Sequence, residues 1–450
     1  MKKTLIAIVS IVLVLALNVG SYVWGTKLRS NKEDLNQLIE KDTEEAVVVN
    51  VWMKSGNISN AIRIQLEQFN AKHKDIKIVY RAYDDDYYNM LRTSLVTENG
   101  PDIFENSYDW DLLKQGRITD LDELSLNLRD VRDDVYYIYD EKKIGVNLTA
   151  DAGMLIWNKD IFKEAGIDEN TSIKTWDELL AVAEKIKSSK DDVIPFGLTM
   201  NSFNMEDLQV AVGLPSAAMG NTYPSLWDYR KGQYEYSNAK DIINFYKNLY
   251  EKELIYEDFD KKTADEKMLD FYSGKTAMVL VGTGNLSQLL YGLPPTFEYG
   301  VTDVPVLESN SDVDRYFINP STTFFVNSKS IKNHKKKEAI EKVYNYMLEK
   351  ENNLQLLKSD RILTIASKNM DYTSSTIGKC IDIDNYEVPI YDPTLFIGHN
   401  YVKDYDLINS VIKGELDIDK AIKDINDSYN NEIKIIKDVG GLDLTKYKEN

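Results

Sequence analysis

The chain has 450 residues, 43% of them hydrophobic and 28% charged, so it is long enough for two or three domains with sizeable cores and is not a disordered polymer. Its 73 acidic and 54 basic residues give a net charge of −19, which argues against a nucleic-acid partner and disfavours attraction to an anionic lipid surface, since both need a basic face. One cysteine, Cys380, and three histidines, His73, His334 and His399, allow no internal disulfide and no zinc-ligand spacing, so neither a metal nor a cofactor is expected.

The first segment reads as an address. Lys2 and Lys3 precede an uncharged stretch over residues 4–26, whose strongest part, residues 5–17, is interrupted only by Ser10. A basic start followed by an apolar core of about 7–15 residues is a secretory signal. The whole stretch is also long enough to span a bilayer. Residues 1–26 are therefore a signal peptide or an N-terminal membrane anchor, and the remainder is exported either way. Residues 27–46 are a polar, charged linker.

The β-branched run over residues 47–52 predicts a buried strand. Ile58, Ile62, Leu66 and Phe69 recur at helical spacing, with Asn57 or Ser59 available as N-cap. Residues 76–80 predict a second strand, Leu91 and Leu95 a helix, and residues 102–104 a third strand, the β-α-β-α-β rhythm of a parallel sheet. The rhythm restarts after Gly145 with a strand at 154–157. Thr175-Trp176-Asp177-Glu178 is a capping box opening a helix whose apolar face is Leu179, Leu180, Ala183 and Ile186. Strands are expected at 195–199, 276–281, 299–303 and 323–327, and a helix at 242–249. Helices dominate beyond Lys335, and the last carries Ala421, Ile422, Ile425, Tyr429, Ile433 and Ile436 on one stripe.

Several catalytic motifs are approached and missed. Gly274-Lys275-Thr276 ends like a phosphate-binding loop, but Leu269 occupies the position of the required earlier glycine. Gly282-Thr283-Gly284 lacks the third glycine of a dinucleotide fingerprint, where Ser287 stands. Asp84-Asp85-Asp86 has no calcium-loop glycine and reads as a solvated turn. No G-x-S-x-G elbow occurs. Nothing in the chain argues for an enzyme.

Six segments in order carry a resemblance: Val51-Trp52; Gly100-Pro101-Asp102-Ile103 with Asp109-Trp110; Leu155-Ile156-Trp157-Asn158-Lys159-Asp160; Thr175-Trp176-Asp177-Glu178-Leu179; Phe271-Tyr272-Ser273-Gly274-Lys275-Thr276-Ala277-Met278; and Tyr299-Gly300-Val301-Thr302 with Pro305. Together they resemble the bacterial extracellular solute-binding proteins of ABC importers, in the carbohydrate-binding group that includes maltose-binding protein. The resemblance implies an α/β, two-lobed periplasmic-binding-protein-like fold with discontinuous lobes and a C-terminal helical tail. The chain would cross between lobes near 149–153, 315–322 and 359–366. Lobe one would be residues 47–150 plus 318–360, and lobe two 153–315 plus 366–450.

A sugar held between the lobes needs aromatic rings for its C–H face and planar polar groups for its hydroxyls. From lobe one the candidates are Trp52, Lys54, Asn57, Asn106, Asp109, Trp110 and Asp151; from lobe two they are Asn285, Trp227 and Tyr229. Tyr401 stands in the tail, thirteen residues before Gly414, where maltose-binding protein has a stacking tryptophan. Each has a plainer reading: Trp52 as core, Trp110 as a buried helix face, Asp109 and Asn285 as caps, Asp151 as a hinge residue. Two departures from the family pattern stand out. Gly284 occupies a place where sugar binders often carry tryptophan, and no N-terminal cysteine is available for lipid modification. The expected protein is a monomer that captures a small neutral solute and delivers it to an ABC transporter permease. An anchored ligand sensor and an exported glycoside hydrolase are the competing classes.

Overall fold

The computed structural model describes residues 46–438 apart from Asn57, Asp85, 106–111, Lys114, Asp140, 202–207, 219–221, Asn285, 287–294, 308–315, 360–361, 376–377, 381–382, 384–385 and 388–400. Residues 1–26, expected as a signal or anchor, and the expected linker up to residue 45 lie outside the described residues. No described helix is long and apolar enough to cross a membrane.

In chain order the first part comprises β1 (Val47–Lys54), α1 (Ser59–Lys72), β2 (Ile76–Tyr83), α2 (Tyr87–Ser94), β3 (Ile103–Glu105), β4 (Tyr136–Tyr139) and β5 (Lys142–Asp151). There follow β6 (Gly153–Asn158), α3 (Lys159–Glu164), α4 (Trp176–Ser189), β7 (Ile194–Gly197), α5 (Leu214–Ala218), the hairpin β8 (Trp227–Asp228) and β9 (Gln233–Tyr234), α6 (Lys240–Glu251), α7 (Ala264–Tyr272), β10 (Thr276–Gly282) and β11 (Tyr299–Asp303). The chain continues with β12 (Tyr316–Phe317), β13 (Asn319–Val326), α8 (His334–Leu348), α9 (Lys350–Lys358), β14 (Leu363–Thr364), β15 (Tyr386–Glu387), α10 (Tyr401–Ile412) and α11 (Ile418–Asp438).

Two sheets define two lobes. In the first the order is β14-β5-β13-β3-β1-β2, with β4 also paired to β5, along its first half. β1 runs parallel to β2 and β3, whereas β13 is antiparallel to both β3 and β5. In the second the order is β11-β6-β10-β7. Continuous apolar runs mark the central strands: every residue of β6 and of β10 is buried, as expected for strands covered on both faces. Leu155, Trp157, Met278 and Leu280 look into the lobe-two core. Met154, Ile156, Val279 and Val281 look the other way, into a cluster continuous with the lobe-one core.

Local chemistry places the elements. Thr175 and Glu178 form the expected capping box, and Thr263 and Glu266 form a second one at the head of α7. Asn158 caps α3 by accepting from Asp160 and Ile161. The expected cap of α1 is not made: its N-cap is Ile58, and the Ser59 hydroxyl instead donates to the Gly56 carbonyl at 2.8 Å. Gly274 adopts φ +73°, the turn that feeds β10, so the phosphate-loop look-alike is a turn. Gly300 is required by a close approach, because a Cβ there would meet the Trp157 ring at 2.0 Å. β2 ends the first sheet, and at its outer side the Asn70 side chain accepts from the Ile78 N–H at 2.7 Å and donates to the Ile78 carbonyl at 2.9 Å. The strand expected at 323–327 is longer and begins at Asn319.

Candidate functional site

Strand direction decides where a ligand can sit. β1, β2, β3 and β5 all point the same way, so Lys54, Tyr83, Glu105 and Asp151 end on one edge of the first sheet. The chain leaves that edge at Ala152 and enters the second sheet at Gly153. β10 is antiparallel to β6 and parallel to β7, so Gly197 and Gly282 end on the facing edge of the second lobe. Open α/β sheets bind ligands outside the carboxyl ends of their strands.

On the lobe-one side an aromatic and charged group gathers. Trp52 and Tyr83 have ring centroids 4.8 Å apart, and Tyr87 stacks on Tyr83 at 6.1 Å. The Arg81 guanidinium lies 6.0 Å from the Trp52 ring, and the exposed Lys54 ammonium lies 5.8 Å from the Tyr88 ring, both in cation–π range. The Tyr87 hydroxyl donates to the Glu105 carbonyl at 2.5 Å. The Glu105 carboxylate accepts from the Lys54 N–H at 2.7 Å, which ties the ends of β1 and β3 together. Burial pushes the Glu105 carboxyl up to about 7, against the lowering effect of that N–H and of the Lys54 charge. The Trp52 Nε1 is buried and has no acceptor among the described residues.

At the crossing, the Thr283 hydroxyl donates to Asp151 Oδ1 at 2.8 Å, and the Ala152 N–H points at the same hydroxyl at 3.3 Å. The Thr283 N–H closes the loop on the Ala152 carbonyl at 3.0 Å. Burial raises the Asp151 carboxyl, and the Thr283 hydroxyl and the Gly284 N–H oppose the shift. Asp151 thus belongs to the first sheet and is held by the second lobe.

Of the candidates read from the sequence, Lys54 and Asp151 end strands on this edge, with β13 and β3 between them, and Trp52 lies two residues back from the end of β1, 5% exposed in a core cluster with Tyr87, Leu91 and Phe104, as its plainer reading has it. Trp227 and Tyr229 do not lie there. Their exposures are 0% and 1%, and both lie in the lobe-two core, where Tyr234 meets Trp227 edge-on at 5.3 Å and Tyr223 stacks on Tyr229 at 4.9 Å. Neither presents a face to a solute in this structure. Tyr401 opens α10, but its side chain, with Asn57, Asn106, Asp109, Trp110 and Asn285, lies outside the described residues. Asp84 and Asp86 are exposed, in keeping with a solvated turn. Glu105, Tyr83, Tyr88, Arg81 and Thr283 were not read from the sequence. The one available signal was Glu105, a carboxylate closing an otherwise apolar strand.

Among the described residues no group of acids, histidines and cysteines could hold a metal ion. A cavity of about 10 Å³ inside lobe two, bordered by Thr199 and the buried Lys267, has room for one water and not for a sugar. Elsewhere in that lobe Asp404, in the first turn of α10, accepts from the hydroxyls of Tyr236, at 3.3 Å, and Tyr429. Burial pushes its carboxyl up to about 7.

The profile of the family described as bacterial extracellular solute-binding protein matches residues 55–354. The chain belongs to that family. It is 26% identical over 283 residues to an uncharacterised ABC transporter extracellular-binding protein of Pyrococcus horikoshii, covering 56% of this chain and 59% of that one. It is 24% identical over 279 residues to the sn-glycerol-3-phosphate-binding periplasmic protein of Escherichia coli K12, with the same two coverages of 56% and 59%. The chain thus spans less than two thirds of the length of these curated relatives. Among solved structures it is similar to the cyclic α-maltosyl-1,6-maltose binding protein of Arthrobacter globiformis, with TM-score 0.69 and 19% identity over 87% of this chain and 100% of that one. It is also similar to a Thermotoga lettingae solute-binding protein bound to α-D-tagatose, with TM-score 0.64 and 17% identity over 86% and 100% of the two chains. These likenesses establish the two-lobed fold.

Proposed function

We propose that this solute-binding protein captures a small neutral solute, a sugar, between its lobes and delivers it to an ABC importer. The observation that carries the reading is the convergence of Trp52, Tyr83, Tyr88, Lys54 and Glu105 on the edge where the chain crosses to lobe two. Rings there can cover a pyranose C–H face, and the charged and amide groups beside them can pair its hydroxyls. The solved proteins named above, which bind a cyclic maltose derivative and tagatose, support a carbohydrate.

In this reading Asn57, Asn106, Asp109, Trp110, Asn285 and Tyr401 complete the site, and Trp227 and Tyr229 serve lobe two. Residues 47–150 with 318–360 form one lobe, and 153–315 with 366–450 the other. The protein acts as a monomer outside the cytoplasmic membrane, exported through residues 1–26, with a permease as its protein partner. The test is a thermal-shift and calorimetry screen over neutral sugars and sn-glycerol 3-phosphate. A ligand at 100 times its Kd stabilises by about 2.7 kcal/mol, which is readily seen. Binding of the phosphate ester with no response to any neutral sugar would refute the neutral class. Turnover of a bound glycoside would refute the transport reading.

A further inference from the structure

The edge of the first sheet opposite the candidate site gathers lysines. There, at the start of the parallel strands, the Val47 N–H donates to the Asp75 carbonyl, and the Lys336 ammonium reaches the Val48 carbonyl and lies 2.8 Å from the Asp102 carboxylate. Around these fixed points sit Lys72 and Lys74, at the end of α1 and just before β2, and Lys332 and Lys335, at the head of α8. All four are exposed, and none of their ammonium groups has an ion-pair or hydrogen-bond partner among the described residues. Lys329 adds a fifth cation, its ammonium on the Val96 carbonyl at 2.9 Å. Of the acids on this face, Asp75 is taken by Lys342, Asp102 by Lys336 and Glu341 by Lys337, and Glu338 faces His334; Glu98 and the exposed Asp122 and Glu123, on the segment that runs from the end of β13 to Glu341, remain.

One feature sets this patch apart from ordinary solvated lysines such as the exposed Lys163, Lys174 and Lys261 of lobe two. Here His334, Lys335, Lys336 and Lys337 crowd the first turn of α8, where the helix dipole is positive and cations are unfavourable. The arrangement opposes helix stability.

We infer that this lysine edge rests on an anionic lipid surface. It is the edge at which the chain enters the body at Val47. Clustered lysines near a membrane are attracted to anionic headgroups even where distant parts of the protein are acidic, because that attraction decays within a Debye length. The candidate site lies at the other end of the same strands, about 26 Å away for an eight-residue strand. A body seated this way holds its open strand ends toward the medium. The inference goes beyond the proposed transport function and stands or falls separately from it.

The test uses the full chain with vesicles of neutral phosphatidylcholine, alone or mixed with anionic phosphatidylglycerol. Amine acylation read by peptide mass spectrometry reports which lysines are covered. Labelling of Lys72, Lys74, Lys332 and Lys335 should fall at least about threefold on the anionic vesicles and recover in about 0.5 M salt, where screening is short-ranged. Lysines of lobe two should not change. A Lys332→Glu/Lys335→Glu variant, remote from the ligand edge, should lose the protection of Lys72 and Lys74 and keep its solute affinity. Equal labelling on both vesicle types overturns the inference. That includes equally low labelling, which would mean that the chain's own acids, Glu40, Asp42, Glu44 and Glu45, occupy the patch. Loss of solute binding in the parent protein would bear on the transport reading and not on this one.

Discussion

The Thr283 hydroxyl donates to Asp151 at 2.8 Å, so a residue that follows the central strand of one lobe holds the last residue of a strand in the other. The bond lies one residue from the Ala152 crossing, where closure of two lobes about a hinge would concentrate its backbone rotation.

Thr283→Val keeps the shape and removes the donor. Hydrogen bonds to charged groups contribute about 1.5–3 kcal/mol, so the unfolding free energy should fall by about that much. The unliganded variant should also scatter with a larger radius of gyration, because one tie between the lobes is gone. Asp151→Asn keeps an acceptor and should be milder on both counts. Small-angle scattering that cannot distinguish Thr283→Val from the parent, with and without ligand, would rule out a hinge role for this pair.

Glu105 and Asp404 set a pH dependence of stability. Both are raised to about 7 by burial, from ordinary values of 4.5 and 3.8. The native state then binds protons that the unfolded state has already released, so stability declines as pH rises from about 4 to 7 and levels off above. The melting temperature should therefore increase on going from pH 7.5 to 5.5. Glu105→Gln and Asp404→Asn should each flatten the rise, by an amount on the order of 2–3 kcal/mol at the upper limit. A melting temperature that drops over that interval contradicts the burial of these carboxyls.

Trp52 and Trp227 separate a ring of the proposed site from one of packing alone. In the proposed site Trp52→Ala should weaken solute binding at least tenfold, about 1.4 kcal/mol or more, and, with the ring 5% exposed among Tyr87, Leu91 and Phe104, should lower stability as well. Trp227→Ala should lower stability by about 3–5 kcal/mol, as for a fully buried aromatic, and leave the affinity of the folded fraction unchanged. Calorimetry on protein whose fold is verified by circular dichroism tells them apart, and the reversed pattern would relocate the site.

Gly300→Ala should be poorly tolerated. The added methyl would meet the Trp157 ring at 2.0 Å, and that ring is anchored by its Nε1 donating to the Glu169 carbonyl at 3.0 Å. Overpacking of this kind costs about 1–3 kcal/mol. Urea unfolding should show a lower midpoint with an unchanged slope, and a midpoint equal to the parent's would mean that Trp157 moves freely.

What was legible in the chain depended on how far apart the partners are. The Thr175–Glu178 capping box is four residues long and could be read directly; Thr263–Glu266 was equally local and went unread among the charged residues around it. The all-buried runs of β6 and β10 were visible because a strand covered on both faces is apolar throughout. Glu105 was not visible, because its role depends on the Lys54 amide 51 positions away. Nor was the enclosure of Trp227. It is made by the β9 hairpin strand, which is bound in turn by Asn430 of α11 at 2.8 Å, 196 positions on from Tyr234. The crossing at Asp151 came from resemblance, since strand direction cannot be read before the pairing is known.

The amide of Asn70 has a consequence for how these molecules meet one another. Two copies approaching through β2 would each have to break the 2.7 and 2.9 Å bonds to Ile78 before any intermolecular bond replaced them. An exposed strand margin is otherwise a template for other chains. The Asn70 side chain thus raises the barrier to edge-to-edge pairing at Ile78, and Asn70→Leu should make losses on storage rise more steeply with concentration than in the parent.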